Sequence, residues 1–264
     1  MKQARSPIVL ALILLFAFVS SAHDTWLLAR RASVPPGTVA RLDLTSGMTF
    51  PVLDYAIKPE RVNLARCRLN GKTFEVARSS ASKSLALRVR LPDEGVATLW
   101  VELNPKSLEL TPKQVEEYFD EINAPAQFRQ SWMNGGKKRW REIYTKHAKT
   151  FMKVGESVAD HSWVEPVGMA LEIVPEKNPT TIRAGDEFPV RVLRNGLPLP
   201  NFSLGIVREG NSFSEFQTTD AEGRVTFRLA RSGKWLLRGT ELRPSNKPET
   251  EWESDFTTLT IEVQ

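Results

Sequence analysis

The chain has 264 residues, a formal charge of +5 at pH 7, one cysteine and three histidines. So small a basic excess does not indicate a nucleic-acid-binding protein, which needs positive charge clustered on one face. The lone Cys67 cannot form an internal disulfide, so packed cores must stabilise the fold. The length suits two ordinary domains of roughly 100–150 residues each.

Residues 1–22 have the pattern of a secretory signal peptide. Lys2 and Arg5 give a basic start, Ile8–Val19 is apolar, and small residues precede an expected cleavage site after Ala22. The apolar run is shorter than the about 20 residues that a permanent membrane span needs. We therefore expect an exported protein that has no membrane span after cleavage.

Residues 23–105 are predicted to form an antiparallel β-sandwich domain. Val39–Thr45 alternates with the two-residue period of a half-buried strand. Asn70-Gly71 favours a hairpin, because both turn positions tolerate positive φ. A long loop is predicted at Met48–Lys58. Further strands are predicted at Leu64–Leu69, Thr73–Ala77, Leu85–Leu91 and Val96–Leu103.

Residues 106–160 are predicted to be a helical connecting segment. Thr111-Pro112-Lys113-Gln114 offers a hydroxyl N-cap, a proline at the first helical position and a glutamine for a capping box. This first helix should run to about Asn123. A second helix is predicted at Lys138–Lys153, where apolar residues recur every three or four positions and place His147 on the apolar face.

Residues 161–264 are predicted to form a second antiparallel sandwich, of the Ig-like or transthyretin-like type. Asn195-Gly196 and Asp220-Ala221-Glu222-Gly223 supply turns. The predicted strands are Phe188–Leu193, Ser203–Arg208, Phe213–Thr218, Arg224–Leu229, Lys234–Glu241 and Phe256–Val263. The expected fold is thus mainly β, with two antiparallel sandwiches joined by a helical segment.

Cleavage after Ala22 makes His23 the first residue of the processed chain. A terminal histidine can bind one metal ion through its α-amine and its imidazole together. The α-amine has an ordinary pKa of about 7.7–8.0, so a bound cation displaces its proton readily near neutral pH. Nitrogen donors suit nickel and copper. The alternative is that His23 is only a solvated residue after the cleavage site.

The other two histidines are candidate completing ligands. His147 has a competing interpretation as a core histidine on an apolar face, and His161 as a solvated loop residue. The sequence contains no nucleophile elbow, zinc-protease motif, phosphate-binding glycine loop or dinucleotide fingerprint. We therefore expect a binding protein rather than an enzyme.

Several segments resemble a bacterial periplasmic family of largely unknown function. The family includes the soluble periplasmic component of nickel/cobalt uptake transporters of the energy-coupling-factor type. The resembling segments are His23-Asp24-Thr25-Trp26-Leu27, Tyr144–Gly155, Gly168–Pro179, Ala184–Asn195, Thr219–Leu229, Lys234–Gly239 and Trp252–Val263.

The resemblance implies a periplasmic, β-rich protein that binds a divalent transition metal, nickel or cobalt, for inner-membrane transporter components. The family's terminal His-Asp-x-Trp pattern matches His23, Asp24 and Trp26. Asp24 would then orient an imidazole by a hydrogen bond, and Trp26 would shield the site. The chain departs from the family near Gly47, where many relatives have a histidine and this sequence has Met48.

Two other classes of function stay open. The first is a copper site of the histidine-brace type, in which His23 and one further histidine bind copper and Met48 adds a soft donor. The second is a structural or glycan-binding double sandwich without a metal, in which some of the seven tryptophans stack on sugars. Tryptophans within strands are more often core residues.

Overall fold

The computed structural model describes residues 23–136, 139–157, 159–211 and 213–264. The expected signal peptide, residues 1–22, lies outside the described residues. In the described part the chain is mainly β, with several antiparallel sheets and two α-helices. The prediction of a mainly β fold is therefore confirmed.

The first ten strands precede both helices. They are β1 (Asp24–Ala29), β2 (Ser33–Val34), β3 (Thr38–Gly47), β4 (Tyr55–Ala56), β5 (Val62–Leu69), β6 (Lys72–Glu75), β7 (Ala77–Ser80), β8 (Leu85–Leu91), β9 (Gly95–Leu103) and β10 (Lys106–Leu110). The two helices are α1 (Pro112–Glu121) and α2 (Ala126–Asn134).

The other strands follow the helices. They are β11 (Trp140–Val154), β12 (Leu171–Pro175), β13 (Glu187–Arg194), β14 (Leu197–Pro198), β15 (Ser203–Arg208), β16 (Glu215–Thr218), β17 (Arg224–Arg228), β18 (Gly233–Pro244) and β19 (Trp252–Val263). Two short 3-10 helices lie at Pro59–Arg61 and Ser162–Val164.

The strands form three sheets. The central sheet has the order β16-β15-β18-β19-β11-β9-β5-β6, with β10 and β2 also paired to β11. The N-terminal sheet contains β1, β3, β8 and β7, with β4 on β3, and the C-terminal sheet contains β12, β13, β14 and β17. The central sheet thus takes strands from both regions predicted as sandwiches.

The two smaller sheets cover opposite faces of the central sheet. On β11, Ala148 and Met152 belong to a core shared with the N-terminal sheet, whereas Phe151 belongs to a core shared with the C-terminal sheet. Successive side chains of a strand point to opposite faces, so this split assigns one layer to each face.

The predicted second helix, Lys138–Lys153, is wrong, because Trp140–Val154 is a 15-residue strand. Strand β11 pairs with β19 in parallel and with β9 and β10 in antiparallel fashion. Both of its faces are buried, so apolar residues occupy both and the two-residue alternation disappears. The remaining three- and four-residue spacings then look helical.

The first predicted helix is confirmed as α1. The Thr111 amide donates to Gln114 Oε1 at 2.9 Å, the capping-box contact expected from the sequence. Helix α2 was not predicted. Both helices pack on a core of aromatic residues that includes Trp140 and Trp252, whose rings are stacked 4.6 Å apart. Within the described residues, neither helix has the length and apolar composition needed to cross a membrane.

Candidate functional site

The main chain of His23 is held against the central sheet. The Lys146 ammonium, on β11, donates a hydrogen bond to the carbonyl oxygen of His23. The next residue, Asp24, pairs with Arg238 on β18, with 2.7 Å between Asp24 Oδ2 and Arg238 Nε. These contacts fix the start of β1. The carboxylate of Asp24 therefore forms an ion pair with Arg238, whereas the sequence analysis predicts that it orients an imidazole.

His23 and Met48 lie just beyond the paired ends of β1 and β3. Asp24 on β1 is opposite Gly47 on β3 at the end of their antiparallel register, so His23 directly precedes this pair and Met48 directly follows it along the chain. Met48 is 64% exposed, and the His23 ring lies 5.2 Å from the ring of Tyr55. An imidazole and a thioether therefore share one edge of the fold.

Trp26 belongs to the core rather than to this edge. It is 1% exposed and contacts Phe50 edge-on, with ring centroids 5.7 Å apart. A Cβ at Gly47 would lie 3.0 Å from Trp26 Cη2, so the glycine makes room for the indole. By the two-residue period of β1, Trp26 and His23 point to opposite faces. Shielding of His23 by Trp26 stays a prediction that this placement does not support.

A cleft of about 500 Å³ opens next to this edge. Its lining residues are Thr25, Ser46, Tyr55, Ala56, Ile57, Lys58, Glu60, Arg61, Leu103, Lys106, Tyr144 and Lys146. Four of these side chains are basic and one is acidic. The cleft is therefore a positively charged concavity, and its wall includes Tyr55, the residue that contacts the His23 ring.

Lys146 is the buried cation of the cleft. Burial, together with the nearby charges of Arg61 and Lys106, outweighs the opposing effects of Asp24 and Glu121 and lowers the pKa of Lys146 to about 8. Its ammonium lies 5.5 Å from the centroid of the Tyr144 ring, a cation–π distance.

His147 is on the other face of β11 from Lys146 and His23. It is 1% exposed, its Nε2 lies 3.1 Å from Asp255 Oδ1, and its Nδ1 lies 3.5 Å from Glu102 Oε2. Asp255 also pairs with Arg243 at 2.7 Å and with Arg194 at 3.0 Å. His147 is thus part of a buried ion-pair network between strands.

The network changes the charge state of His147. Burial opposes the imidazolium, but its hydrogen bond to Asp255 and the charge attraction of Asp255 and Glu102 outweigh it, so the pKa of His147 lies above its ordinary value of 6.5. Burial likewise opposes the Asp255 carboxylate, yet its contacts with His147, Arg243 and Arg194 hold the pKa of Asp255 below its ordinary range. A protonated imidazole is a poor metal ligand.

His161 lies at the opposite end of the central sheet. The neighbouring Asp160 accepts hydrogen bonds from the amides of Asn70 and Val96, at the beginning of β9. The cleft touches Leu103, at the end of β9. Seven residues at about 3.4 Å per residue separate these ends by roughly 24 Å. The structure therefore does not bring His161 to His23.

The three histidines thus occupy three separate places. In the part of the chain that the structure describes, no group of three or more His, Cys, Asp or Glu side chains is arranged to hold a metal ion. His147 and His161 stay predicted ligands without a geometric link to His23. The ligand set that the placement supports is His23 together with donors at the edge on which it lies.

Sequence reasoning missed the basic wall of the cleft. Tyr144 and Lys146 were assigned to a helix, and a helix gives no reason to place them next to Lys106. In the strand pairing, Lys106 lies directly opposite Tyr144. The available signal was the even-numbered series Trp140, Glu142, Tyr144 and Lys146, whose aromatic and polar residues suit one face of a strand.

The sequence also matches a known family. The model described as "Domain of unknown function (DUF4198)" matches residues 20–240. The chain belongs to the DUF4198 family. The match covers the N-terminal and C-terminal sheets and most of the central sheet. No curated protein matches this DUF4198 chain.

Three solved structures are similar to this DUF4198 protein at low identity. The Yersinia pseudotuberculosis adhesin InvE is 13% identical, and the match covers 91% of this chain and 58% of that chain with a TM-score of 0.24. The Bacteroides ovatus mixed-linkage glucan utilization locus protein SGBP-B, solved in complex with a heptasaccharide, is 13% identical, with 90% of this chain and 46% of that chain covered and a TM-score of 0.23. A DUF4785 family protein from Legionella pneumophila is 10% identical, with 80% of this chain and 51% of that chain covered and a TM-score of 0.24. The chain spans about half the length of these proteins. TM-scores this low do not establish a shared fold.

Proposed function

We propose that the exported and processed protein binds a late first-row transition-metal ion through the α-amine and imidazole of His23, and captures nickel or cobalt for an inner-membrane transporter. The observation that carries the proposal is the anchoring of His23 at the edge of the fold by Lys146 and Asp24. The likeness of the opening His-Asp-x-Trp segment to nickel/cobalt uptake components supports the transport role, whereas the DUF4198 family model names no function.

The anchoring contacts are compatible with a chelate at the first residue. Lys146 bonds the carbonyl oxygen of His23, an atom that the six-membered chelate ring through the α-amine and Nδ1 does not use. The α-amine and a ring nitrogen then occupy two adjacent coordination positions. Met48, a solvent molecule or a donor that arrives with the metal would fill others. His147 and His161 are not part of the proposed ligand set.

Calorimetric titration of the processed protein with Ni²⁺, Co²⁺ and Cu²⁺ tests the proposal. We expect one ion per chain and a loss of affinity of at least about tenfold in His23→Ala, equivalent to about 1.4 kcal/mol. A chain with an additional methionine before His23 should lose affinity similarly, because its amine becomes an amide. His161→Ala is the matched control and should bind like the parent. Equal affinity in all four proteins would exclude a site at His23.

Copper is a second candidate ion, favoured by Met48, which follows the Asp24–Gly47 pair at the edge where His23 lies. Thioether donors select Cu(I), whereas nickel and cobalt gain little from them. We expect Met48→Leu to weaken binding of Cu(I) much more than binding of Ni²⁺. If Met48→Leu affects neither ion, the thioether is not a ligand and copper loses its structural support.

A further inference from the structure

We infer that the cleft next to His23 is a binding site for a small hydroxy-polycarboxylate anion, of which citrate is the simplest probe. The volume of about 500 Å³ falls in the range of roughly 300–1,000 Å³ usual for small-molecule sites. The lining has two chemically different walls: one carries cations around Tyr144, and the other carries hydroxyl groups.

Three cations converge on Tyr144. Lys106 lies directly opposite Tyr144 in the β10–β11 pair. Lys146 lies two residues further along β11, on the same face, with its ammonium 5.5 Å from the centroid of the Tyr144 ring. The Arg61 guanidinium carbon lies 6.0 Å from the same centroid. One phenol ring therefore separates three positive side chains.

Like charges at such spacing repel each other, and burial strengthens the repulsion. The acidic side chain among the residues lining the cleft is Glu60, which is exposed, and outside the lining Asp24 and Glu121 attract the Lys146 ammonium. Arg61 is held in place by carbonyl oxygens, with 2.5 Å from its Nη1 to Asn104 O. These contacts orient the guanidinium without neutralising it. A bound anion with several negative charges would relieve the repulsion among Lys146, Arg61 and Lys106 that these two carboxylates leave.

The hydroxyl wall favours a hydroxy acid over a simple inorganic anion. Thr25 Oγ1 and Ser46 Oγ lie 2.6 Å apart, and both line the cleft with Tyr55. Hydroxyls both donate and accept hydrogen bonds, so they match an alcohol or a carboxylate oxygen. Cations on three different elements match carboxylates that are spread over a carbon skeleton. A compact phosphate would reach only part of this set.

The cleft also suggests how metal arrives, and this step rests on the proposed function. Polycarboxylates chelate divalent cations, and Tyr55 connects the cleft wall to the ring of His23. The carboxylate ligand would occupy the cleft while His23 takes two positions on its metal. The cargo is then a metal–hydroxycarboxylate complex rather than the bare ion.

Calorimetric titration of metal-free processed protein with citrate tests the inference. We expect saturable one-to-one binding that Lys106→Glu weakens by at least about tenfold. The matched control is Lys113→Glu, the same charge change at an exposed position of α1 outside the cleft. Circular dichroism and melting curves establish that both variants fold. Absence of citrate binding, an equal effect of both variants, or equally tight binding of inorganic phosphate would overturn the inference.

The same experiment separates this inference from the metal proposal. Citrate should bind His23→Ala as it binds the parent, because the cleft does not need the imidazole. If citrate binds while Ni²⁺, Co²⁺ and Cu²⁺ do not, the anion site stands and the metal function fails. If the metals bind at His23 while citrate does not, the metal function stands and the anion site fails. If a nickel–citrate complex binds no more tightly than citrate alone, the inference that metal and carboxylate bind together as one complex is wrong.

Discussion

Lys149 on β11 and Glu172 on β12 form an ion pair in which Nζ and Oε1 are 2.7 Å apart and each side chain is 1% exposed. Glu172 also accepts hydrogen bonds from the amides of Val167, at 2.8 Å, and Gly168, at 3.0 Å. Burial lowers the pKa of Lys149, whereas the charge of Glu172 raises it. The pair therefore joins the central sheet to the C-terminal sheet at a place without solvent.

Removal of one partner should destabilise the fold much more than removal of both. Lys149→Met leaves an uncompensated buried carboxylate, and Glu172→Gln leaves an uncompensated ammonium, each at a cost of about 3–5 kcal/mol. The double variant should cost far less than the sum of the two. Urea unfolding with m-values measures all three. Additive losses in the double-mutant cycle would mean that the two groups do not interact.

A surface pair provides the comparison. Lys153 and Glu156 also lie close together, but the Glu156 side chain is 88% exposed. Glu156→Gln should change the free energy of unfolding by less than about 1 kcal/mol, because solvent screens exposed pairs. A loss as large as that of Glu172→Gln would show that burial does not set the energy of these pairs.

Alternation along the chain was enough to predict strands with one buried face. Leu85–Leu91 alternates in this way and is a strand with the bounds expected from the sequence; Ser203–Arg208, which is buried on both faces, also has the expected bounds. The capping box at Thr111 likewise marked the start of α1, since that signal lies within four consecutive residues. Local patterns therefore predicted the fold class and many of its elements.

Strand β11 could not be predicted in this way. It lies inside the central sheet with layers on both faces, and two buried faces remove the period that identifies a strand. The candidate site depends on this strand. The partner of His147 is Asp255, 108 residues further along the chain, and Tyr144 contacts Arg61 from the 3-10 helix Pro59–Arg61. Such neighbours follow from tertiary packing rather than from spacing in the sequence.

The His147 network predicts a pH dependence of stability. The pKa of His147 is raised in the folded protein because Asp255 and Glu102 favour the imidazolium more than burial opposes it. A group whose pKa is higher in the folded than in the unfolded protein stabilises the fold fully at pH values below its unfolded-state pKa, here about 6.5. This stabilisation is lost as the pH rises through the folded-state pKa. The free energy of unfolding should therefore fall over this interval.

Urea unfolding across this pH range, together with NMR titration of the imidazole, measures the effect. His147→Gln should remove this part of the pH dependence, since an amide does not titrate. His161→Gln, at an exposed loop position, is the control and should retain it. An unchanged pH profile in His147→Gln would assign the effect to other groups.

Cys67 should be chemically inert in the native protein. It is fully buried, and burial raises the pKa of its thiol to about 12, so the reactive thiolate is scarce at neutral pH. We expect iodoacetamide to modify Cys67 only at the rate of unfolding and to modify it readily in denaturant. A Lys113→Cys variant supplies an exposed thiol that should react at once. Native labelling of Cys67 at the same rate would contradict its burial.

Alanine substitutions at two glycines of the C-terminal region distinguish the cost of backbone strain from the cost of a steric clash. Both have positive φ, +73° at Gly223 and +80° at Gly196. A Cβ at Gly223 would lie 2.6 Å from the carbonyl oxygen of Val192 and 2.9 Å from the amide nitrogen of Leu199, whereas a Cβ at Gly196 meets nothing within 4 Å. Alanine at either position costs about 1–2 kcal/mol from left-handed strain.

Gly223→Ala should lose a further amount of about 1–3 kcal/mol, because the backbone of two neighbouring segments must move to admit the methyl group. Urea unfolding of the two variants under one set of conditions measures the difference directly, since the shared strain cancels. Equal destabilisation of Gly223→Ala and Gly196→Ala would mean that the turn at Gly223 shifts without cost. The close contact between the turn and β13 would then not contribute to stability.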